Sequence, residues 1–244
     1  MVFQIYERIF RTLKVSVLIP VFNEKNTIIE ILKKIDLEKK NLIKINFEII
    51  VINDGSIDGS KDLLEKNSTL YSHLVSYEKN RGKGYALRQG LKHATGDVCL
   101  IQDADLEYLP ENYKNLLLPF EKYDADIVYG SRFKGTSVNK VLLFWHMVAN
   151  KIITLCSNIF SNLNFTDVEV GFKVLKTDII KKIELKEDSF AIEIEITQKI
   201  SKIKPKPRIF EVGTSYYGRS YSEGKKITFK DAIFAMIAII RHSL

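Results

Sequence analysis

Five short apolar runs, spaced by helix-length segments, constrain this chain more than any other feature. They lie near residues 15–19, 47–52, 73–77, 97–102 and 125–129, and each is of strand length. The stretches between them, near 26–36, 58–67, 83–94 and 111–122, read as helices. Alternation at this spacing implies a doubly wound, mainly parallel α/β sheet flanked by helices. The second half is less regular. It offers a long helix-like run over 138–162, a strand near 171–176, a helix over 190–203, a strand near 208–212 and a final helix over 228–242. Repeats, low-complexity segments and Gly/Ser linkers are absent, and the 244 residues include five prolines. A chain of this length can bury a substantial core, so residues 1–244 are expected to form a single domain.

In an open α/β sheet, ligands bind where strands end at their carboxyl edge. The apolar run VCLI (98–101) ends in QDADLEY (102–108), which sets Asp103 and Asp105 one residue apart. Carboxylates suit hard divalent cations such as Mg²⁺ or Mn²⁺, which use one or two protein carboxylates plus substrate phosphates. A solvated acidic turn would show the same pair, so the neighbouring motifs decide. FEIIVI (47–52) runs into NDGSIDGS (53–60), where Asp58 or Ser60 can also serve simply as a helix cap. SVLIP (16–20) runs into VFNE (21–24). A fourth segment, NRGKG (80–84), joins two cations to glycines that permit close backbone approach to a phosphate. It is neither GxxxxGK[ST] nor a GxGxxG after the first strand, which argues against P-loop and dinucleotide-binding folds.

Taken in order, LIPVFNE (18–24), VINDGSIDGS (51–60), NRGKGYALRQG (80–90), DADLEY (103–108) and GSRF (130–133) resemble the family 2 glycosyltransferases of the GT-A fold. DVEVGFKVLK (167–176), FAIEIEI (190–196) and YYGRSYSEGKK (216–226) narrow the resemblance. It is then to the branch holding dolichol-phosphate mannose and glucose synthases and bacterial polyprenyl-phosphate relatives. The likeness covers roughly residues 14–230, with a nucleotide-sugar half at about 14–130 and an acceptor half at about 131–244. It implies a GDP- or UDP-hexose donor, Mg²⁺ or Mn²⁺, inversion at the anomeric carbon and a polyprenyl phosphate acceptor.

The same resemblance distributes the roles. Pro20, Phe22, Asn23 and Glu24 are expected around the nucleoside, with Asp54 against the base or ribose. Asn53 stands where the family usually shows an acid, which leaves the base preference open. Lys83 joins the donor-binding set. Asp103 and Asp105 are expected to hold the diphosphate and its metal, with Glu107 as a third carboxylate of the metal shell. Arg132, with His146 and Asn150, aligns with acceptor-phosphate positions, although His146 stands where Arg is typical. Arg219 and Lys225 would clamp phosphates, so Asp105, Arg132 and Arg219 form the catalytic set. Glu193 would orient Arg219 or the sugar.

A phosphate monoester needs no base, because its second pKa of about 6 leaves it anionic near neutral pH. A rival reading, transfer to a hydroxyl in cell-surface polysaccharide assembly, does need one, and Glu193 or Glu195 would be the candidate. A second rival is a nucleotide-sugar-binding partner subunit without turnover, against which the intact DADLE run counts.

Charge and hydropathy bear on location. Net charge is +7, and residues 199–230 alone hold nine basic against two acidic side chains. Such a segment attracts anionic lipid at about 1 kcal/mol per charge near the surface. No nucleic-acid motif accompanies it, so nucleic acid is not an expected partner. The longest uninterrupted apolar run, 232–240, is shorter than the ~18–20 residues a span requires. No secretory signal is evident in the first fourteen residues. Two scattered cysteines, Cys99 and Cys156, point to a reducing compartment. The expectation is a cytoplasmic protein, peripheral at the inner face of a membrane, with a membrane-protein partner as a further possibility. The apolar runs 138–162 and 228–242 are open to two readings, buried core or interfacial face.

Overall fold

The computed structural model describes residues 12–135, 138–141, 143–219 and 229–243. Strands are β1 (Leu13–Val21), β2 (Ile45–Asp54), β3 (His73–Tyr77), β4 (Val98–Ile101), β5 (Ile127–Ser131), β6 (Lys173–Lys176) and β7 (Ile209–Gly213). Helices are α1 (Ile28–Asn41), α2 (Ser60–Lys66), α3 (Lys83–Leu91), α4 (Tyr113–Lys122), α5 (Phe144–Ser161), α6 (Thr177–Lys182), α7 (Ile192–Ile200) and α8 (Phe229–Ser243).

All seven strands join one sheet in the order β3-β2-β1-β4-β6-β5-β7. Every pairing is parallel except those of β6, which runs antiparallel to both β4 and β5. The expected α/β sheet is therefore present, mainly parallel and flanked by helices. Its central strands are continuous apolar runs because both faces are covered. Val15, Val17, Leu18 and Ile19 of β1 and Leu100 of β4 have no exposed surface.

Chain order reverses between β1 and β4. Such a switch point opens a crevice at the carboxyl ends of the flanking strands. β1 leads there into Phe22, Asn23 and Glu24, β2 ends at Asp54, and β4 leads into Asp103 and Asp105.

The second half builds a helical layer. α7 is buried nearly all round, including Glu193, Glu195, Thr197 and Gln198. Tyr129 of β5 lies 3.2 Å from the Thr197 hydroxyl. Gln198 donates to Ser157 of α5 at 2.8 Å and accepts from Ser243 of α8 at 3.0 Å. α7 thus sits between the sheet and the α5–α8 pair.

α5 is inverted relative to an ordinary surface helix. Its buried residues are Ile153, Thr154, Ser157 and Ser161, while Trp145, Ile152, Leu155, Ile159 and Phe160 are exposed. α8 exposes Ile233, Phe234, Ile237 and Ile240 beside it. The core reading of these two runs holds only for their inner faces. Among the described residues no helix is long and apolar enough to cross a membrane.

Candidate active site

The ends of β1 and β2 are tied together by short polar side chains. Asn23 sits at φ 51°, a left-handed conformation that Asn tolerates better than most residues. Its backbone N–H donates to Ser56 Oγ at 3.0 Å, and its Oδ1 accepts from Ile57 N–H at 2.9 Å. Glu24 N–H donates to Ser60 Oγ at 3.0 Å. Phe22 and Pro20 are half-buried on the same edge.

Asp54 has a different task from the one expected. Its Oδ1 accepts from Arg81 N–H at 2.8 Å, and its Oδ2 accepts from Gly82 N–H at 2.8 Å and Asn80 Nδ2 at 2.9 Å. Both oxygens hold the 80–82 turn, so the carboxylate fixes that turn against the end of β2. Burial raises its pKa despite those N–H donors.

The glycines of NRGKG also act differently. A Cβ on Gly82 would meet Asp188 O at 2.4 Å, and one on Gly84 would meet Glu187 O at 2.1 Å. Gly84 N–H donates to Asp188 O at 2.7 Å. Both glycines permit close backbone approach to the 187–188 loop of the protein itself. That packing directs the Lys83 side chain inward.

Lys83 Nζ lies 2.5 Å from Asp103 Oδ1 and 2.8 Å from Glu193 Oε1. The other Glu193 oxygen pairs with Lys173, which has no exposed surface and also donates to Val170 O at 2.6 Å. The result is a buried chain Asp103–Lys83–Glu193–Lys173. Burial disfavours the charge on both lysines. For Lys83 the two carboxylates outweigh burial and its pKa rises, whereas for Lys173 burial prevails and its pKa falls. Glu193 therefore orients two lysines, not Arg219.

Asp105 stands beside Asp103. Burial, with Asp103 and Glu107 nearby, pushes its carboxyl up to about 7 against the pull of Arg219. Arg219 Nη2 donates to Asp105 Oδ2 at 3.0 Å, and its Nη1 and Nη2 each reach a Glu24 oxygen at 3.3 Å. Glu107 Oε1 accepts from Arg219 N–H at 3.0 Å and Nε at 3.2 Å, while its Oε2 accepts from Tyr216 OH at 2.7 Å. Glu107 is thus a fastener for residues 216–219, not an open third ligand. Among the described residues no three His, Cys, Asp or Glu side chains are gathered to hold a metal ion. Asp103 and Asp105 remain as the carboxylate pair, an oxygen-only set of the kind Mg²⁺ or Mn²⁺ accepts together with substrate phosphates.

At the end of β5, Arg132 is locked in a fork. Its Nε and Nη2 donate to Asp167 at 2.7 and 2.6 Å, and Nη2 also donates to Asn150 of α5 at 3.0 Å. The Tyr216 ring lies 5.4 Å from the guanidinium carbon. Burial alone would raise Asp167, but Arg132 more than offsets it and holds the carboxyl below the usual range. Nη1 makes no hydrogen bond among the described residues. His146 is half-buried one turn before Asn150, whose Nδ2 donates to His146 O at 2.8 Å. Lys225 lies outside the described residues.

Sequence reasoning assigned no task to Lys173, Asp167, Tyr216 or Gly171. The signal was present for Lys173, a charge set between apolar Phe172 and Val174, since a buried lysine demands a carboxylate. Gly171 backs Asp103: a Cβ there would meet Asp103 Oδ2 at 2.1 Å.

The sheet, its switch point and the paired acids define a GT-A fold. The chain superposes on glucosyl-3-phosphoglycerate synthase from Mycobacterium tuberculosis, solved with Mn²⁺ and UDP-glucose, at a TM-score of 0.74 and 14% identity. That match covers 100% of this chain and 83% of the other. The glycosyl transferase family 2 model matches residues 16–183, and the chain belongs to that family.

Dolichol-phosphate mannosyltransferase of Pyrococcus furiosus is 31% identical over 220 residues, 88% of this chain and 61% of that protein. Dolichyl-phosphate beta-glucosyltransferase of Dictyostelium discoideum is 28% identical over 204 residues, 74% of this chain and 60% of that protein. The chain thus spans about three fifths of the length of these two relatives.

Proposed function

We propose that this chain transfers a hexose, with inversion, from a nucleoside-diphosphate sugar to a polyprenyl phosphate at the inner, cytoplasmic surface of a membrane. The observation that carries the reading is the dual character of α5. One helix supplies Asn150, which fixes Arg132 at the sheet edge, and also presents an exposed apolar row from Trp145 to Phe160. A phosphate on an apolar tail asks for that combination, a fixed guanidinium beside a surface that accepts hydrocarbon.

Asp103 and Asp105 would hold the Mg²⁺ or Mn²⁺ of the donor, which supplies neutralisation of charge developing on the departing nucleoside diphosphate. Phe22 and Asn23 flank the nucleoside edge, and Asp54 keeps the 80–82 turn in place behind it. Arg132, oriented by Asp167 and Asn150, offers Nη1 to the acceptor phosphate, which attacks without a protein base.

The fate of the two base candidates supports this acceptor. Glu193 pairs with Lys83 and Lys173. Glu195 accepts from Lys186 N–H and Glu187 N–H, both at 2.8 Å, and pairs with Lys199 at 2.6 Å. Neither carboxylate is placed to take a proton from a hydroxyl, which weighs against the hydroxyl-acceptor rival. The names of the two dolichol-dependent relatives agree in chemistry.

The basic segment is a weaker membrane argument than its sequence suggests. Lys199, Arg208 and Arg219 already pair with acids of the protein. Contact with lipid then rests chiefly on the apolar faces of α5 and α8, with exposed Lys202, Lys204 and Lys206 as the segment's remaining described cations. The test is product analysis by mass spectrometry with a panel of nucleotide sugars. A glycosylated product is expected from a short-chain polyprenyl monophosphate and not from the matching polyprenol. Equal use of the alcohol would overturn the proposed acceptor.

A further inference from the structure

Arg219 is placed where a cation is needed and where the donor's cation must also come. Its guanidinium contacts Glu24, Asp105 and Glu107 at 3.0–3.3 Å, and its side chain is only 17% exposed. These three acids come from two different strand ends, so it is Arg219 that draws them to one point. The segment that carries it also touches the acceptor side. Tyr216 OH donates to Glu107, its ring lies 5.4 Å from the Arg132 guanidinium carbon, and its backbone is fixed by Asn139 Oδ1 at 2.6 Å and Lys140 N–H at 3.0 Å.

We propose that Arg219 is an internal counter-ion that occupies the acidic cluster until the donor arrives, and that loading of the donor with its divalent cation displaces it. The inference rests on the donor reading given above. The physical reason is direct. Arg219 holds Asp105 Oδ2, so a divalent cation that takes this oxygen must displace the guanidinium, and even one bound through Oδ1 alone repels it across the carboxylate. Once expelled, Arg219 is free to meet anionic oxygens, and the 216–219 segment that carried it shifts beside Arg132. Donor loading is therefore linked to the acceptor side through Arg219 and the segment that carries it.

The experiment uses the whole chain without donor. Mn²⁺ binding is measured by electron paramagnetic resonance for the native protein, Arg219→Gln and Arg219→Lys, with thermal unfolding recorded for each. Removing a partly buried cation from three carboxylates should tighten Mn²⁺ binding about tenfold or more in Arg219→Gln, while Arg219→Lys stays within about threefold of native.

A second arm follows farnesyl phosphate binding by calorimetry. The native protein should bind it only when nucleoside diphosphate and Mn²⁺ are both present, and Arg219→Gln should lose that dependence. Unchanged Mn²⁺ affinity in a folded Arg219→Gln, or native binding of farnesyl phosphate without nucleotide, would overturn the counter-ion role and leave the donor reading standing. Absence of Mn²⁺ binding in every form, even with nucleoside diphosphate, would overturn the donor reading and the counter-ion role with it.

Discussion

Gly171→Ala is the smallest change that separates the site from the fold. Gly171 is not among the positive-φ glycines, so its backbone accepts an L side chain. What does not accept it is Asp103. The new Cβ would lie 2.1 Å from Asp103 Oδ2 and 3.1 Å from Tyr108 Cε2, where ordinary contact begins at 3.4 Å. The shortfall exceeds about 1 Å, and the carboxylate end is the part free to yield. Lys83 holds the other oxygen at 2.5 Å, so a swing of Asp103 also pulls on the Lys83–Glu193 pair. Misplacement of a reacting constellation by ~1 Å costs on the order of 10²-fold in rate, or about 2.7 kcal/mol of transition-state stabilisation. Overpacking at this buried position, relieved by movement of a side-chain end, costs about 1 kcal/mol of stability, the low end of the usual range, a Tm shift of about 2–4 °C for a chain of this size. Initial rates of sugar transfer and calorimetric binding of nucleoside diphosphate with Mn²⁺ should both fall by roughly 10²-fold while Tm moves only a few degrees. Gly135→Ala is the control, since nothing lies within 4 Å of its Cβ among the described residues. A Gly171→Ala protein with kcat/KM within threefold of native would refute the claim that this glycine sets the position of Asp103.

Three further outcomes follow from the ion pairs and the apolar faces. Glu193→Gln leaves Lys83 and the fully buried Lys173 without their shared carboxylate, and should destabilise by about 3–5 kcal/mol in chemical denaturation. Lys173→Met in the same background should recover part of that loss, and absence of any recovery would argue against a shared buried charge. Asp126 pairs with Arg208 and Lys176, and although burial opposes ionisation, those partners hold its carboxyl below the ordinary value. A depressed folded pKa gives stability that is complete above the unfolded value of about 3.9 and drains away as pH falls below it. The Tm difference between native and Asp126→Asn should therefore be full at pH 6 and shrink toward pH 3; a gap that is constant with pH would refute it. Liposome co-sedimentation should survive high salt, because the exposed groups on α5 and α8 are mainly apolar, and Trp145→Asp with Phe234→Asp should abolish it. Binding lost at high salt but kept in that double variant would return the contact to the basic residues.

The fold was legible because strand–helix alternation leaves few solutions, and every expected strand lies in the sheet. Boundaries slipped where helix-like composition ran past the helix. The run expected over 138–162 is helical only from Phe144 to Ser161. The strand ends of the site were legible too, since Glu24, Asp54, Asp103 and Asp105 all reach the carboxyl edge. Partner choice was not. A sequence shows that Asp54 ends a strand, but whether it faces solvent or turns under the 80–82 loop depends on how Gly55 and Gly82 fold that loop back. Glu193 and Lys173 lie twenty residues apart on a helix and an antiparallel strand, and only the placement of β6 between β4 and β5 brings them together. The same holds for Arg132 and Asp167, thirty-five positions apart.

The pairings share a pattern that bears on how the site works. Lys83 is matched by Asp103 and Glu193, Arg132 by Asp167, and Arg219 by Glu24, Asp105 and Glu107. The resting site is not an open basic cradle awaiting phosphate. Among the described residues its cations are already engaged, and on the proposed reading a donor enters by exchanging partners. Breaking a half-buried ion pair without replacing it is costly, so a diphosphate alone, which would strip Lys83 or Arg219 from its acids, gains little. A divalent cation alone must face Arg219 across Asp105. The two together replace each lost pairing, because the cation takes over the carboxylates while the phosphates take over the displaced guanidinium. Coupling of that kind is reciprocal. On the proposed reading it gives Asp105 a role beyond holding metal, since its match to Arg219 partly offsets the acidic cluster until both parts of the donor are present.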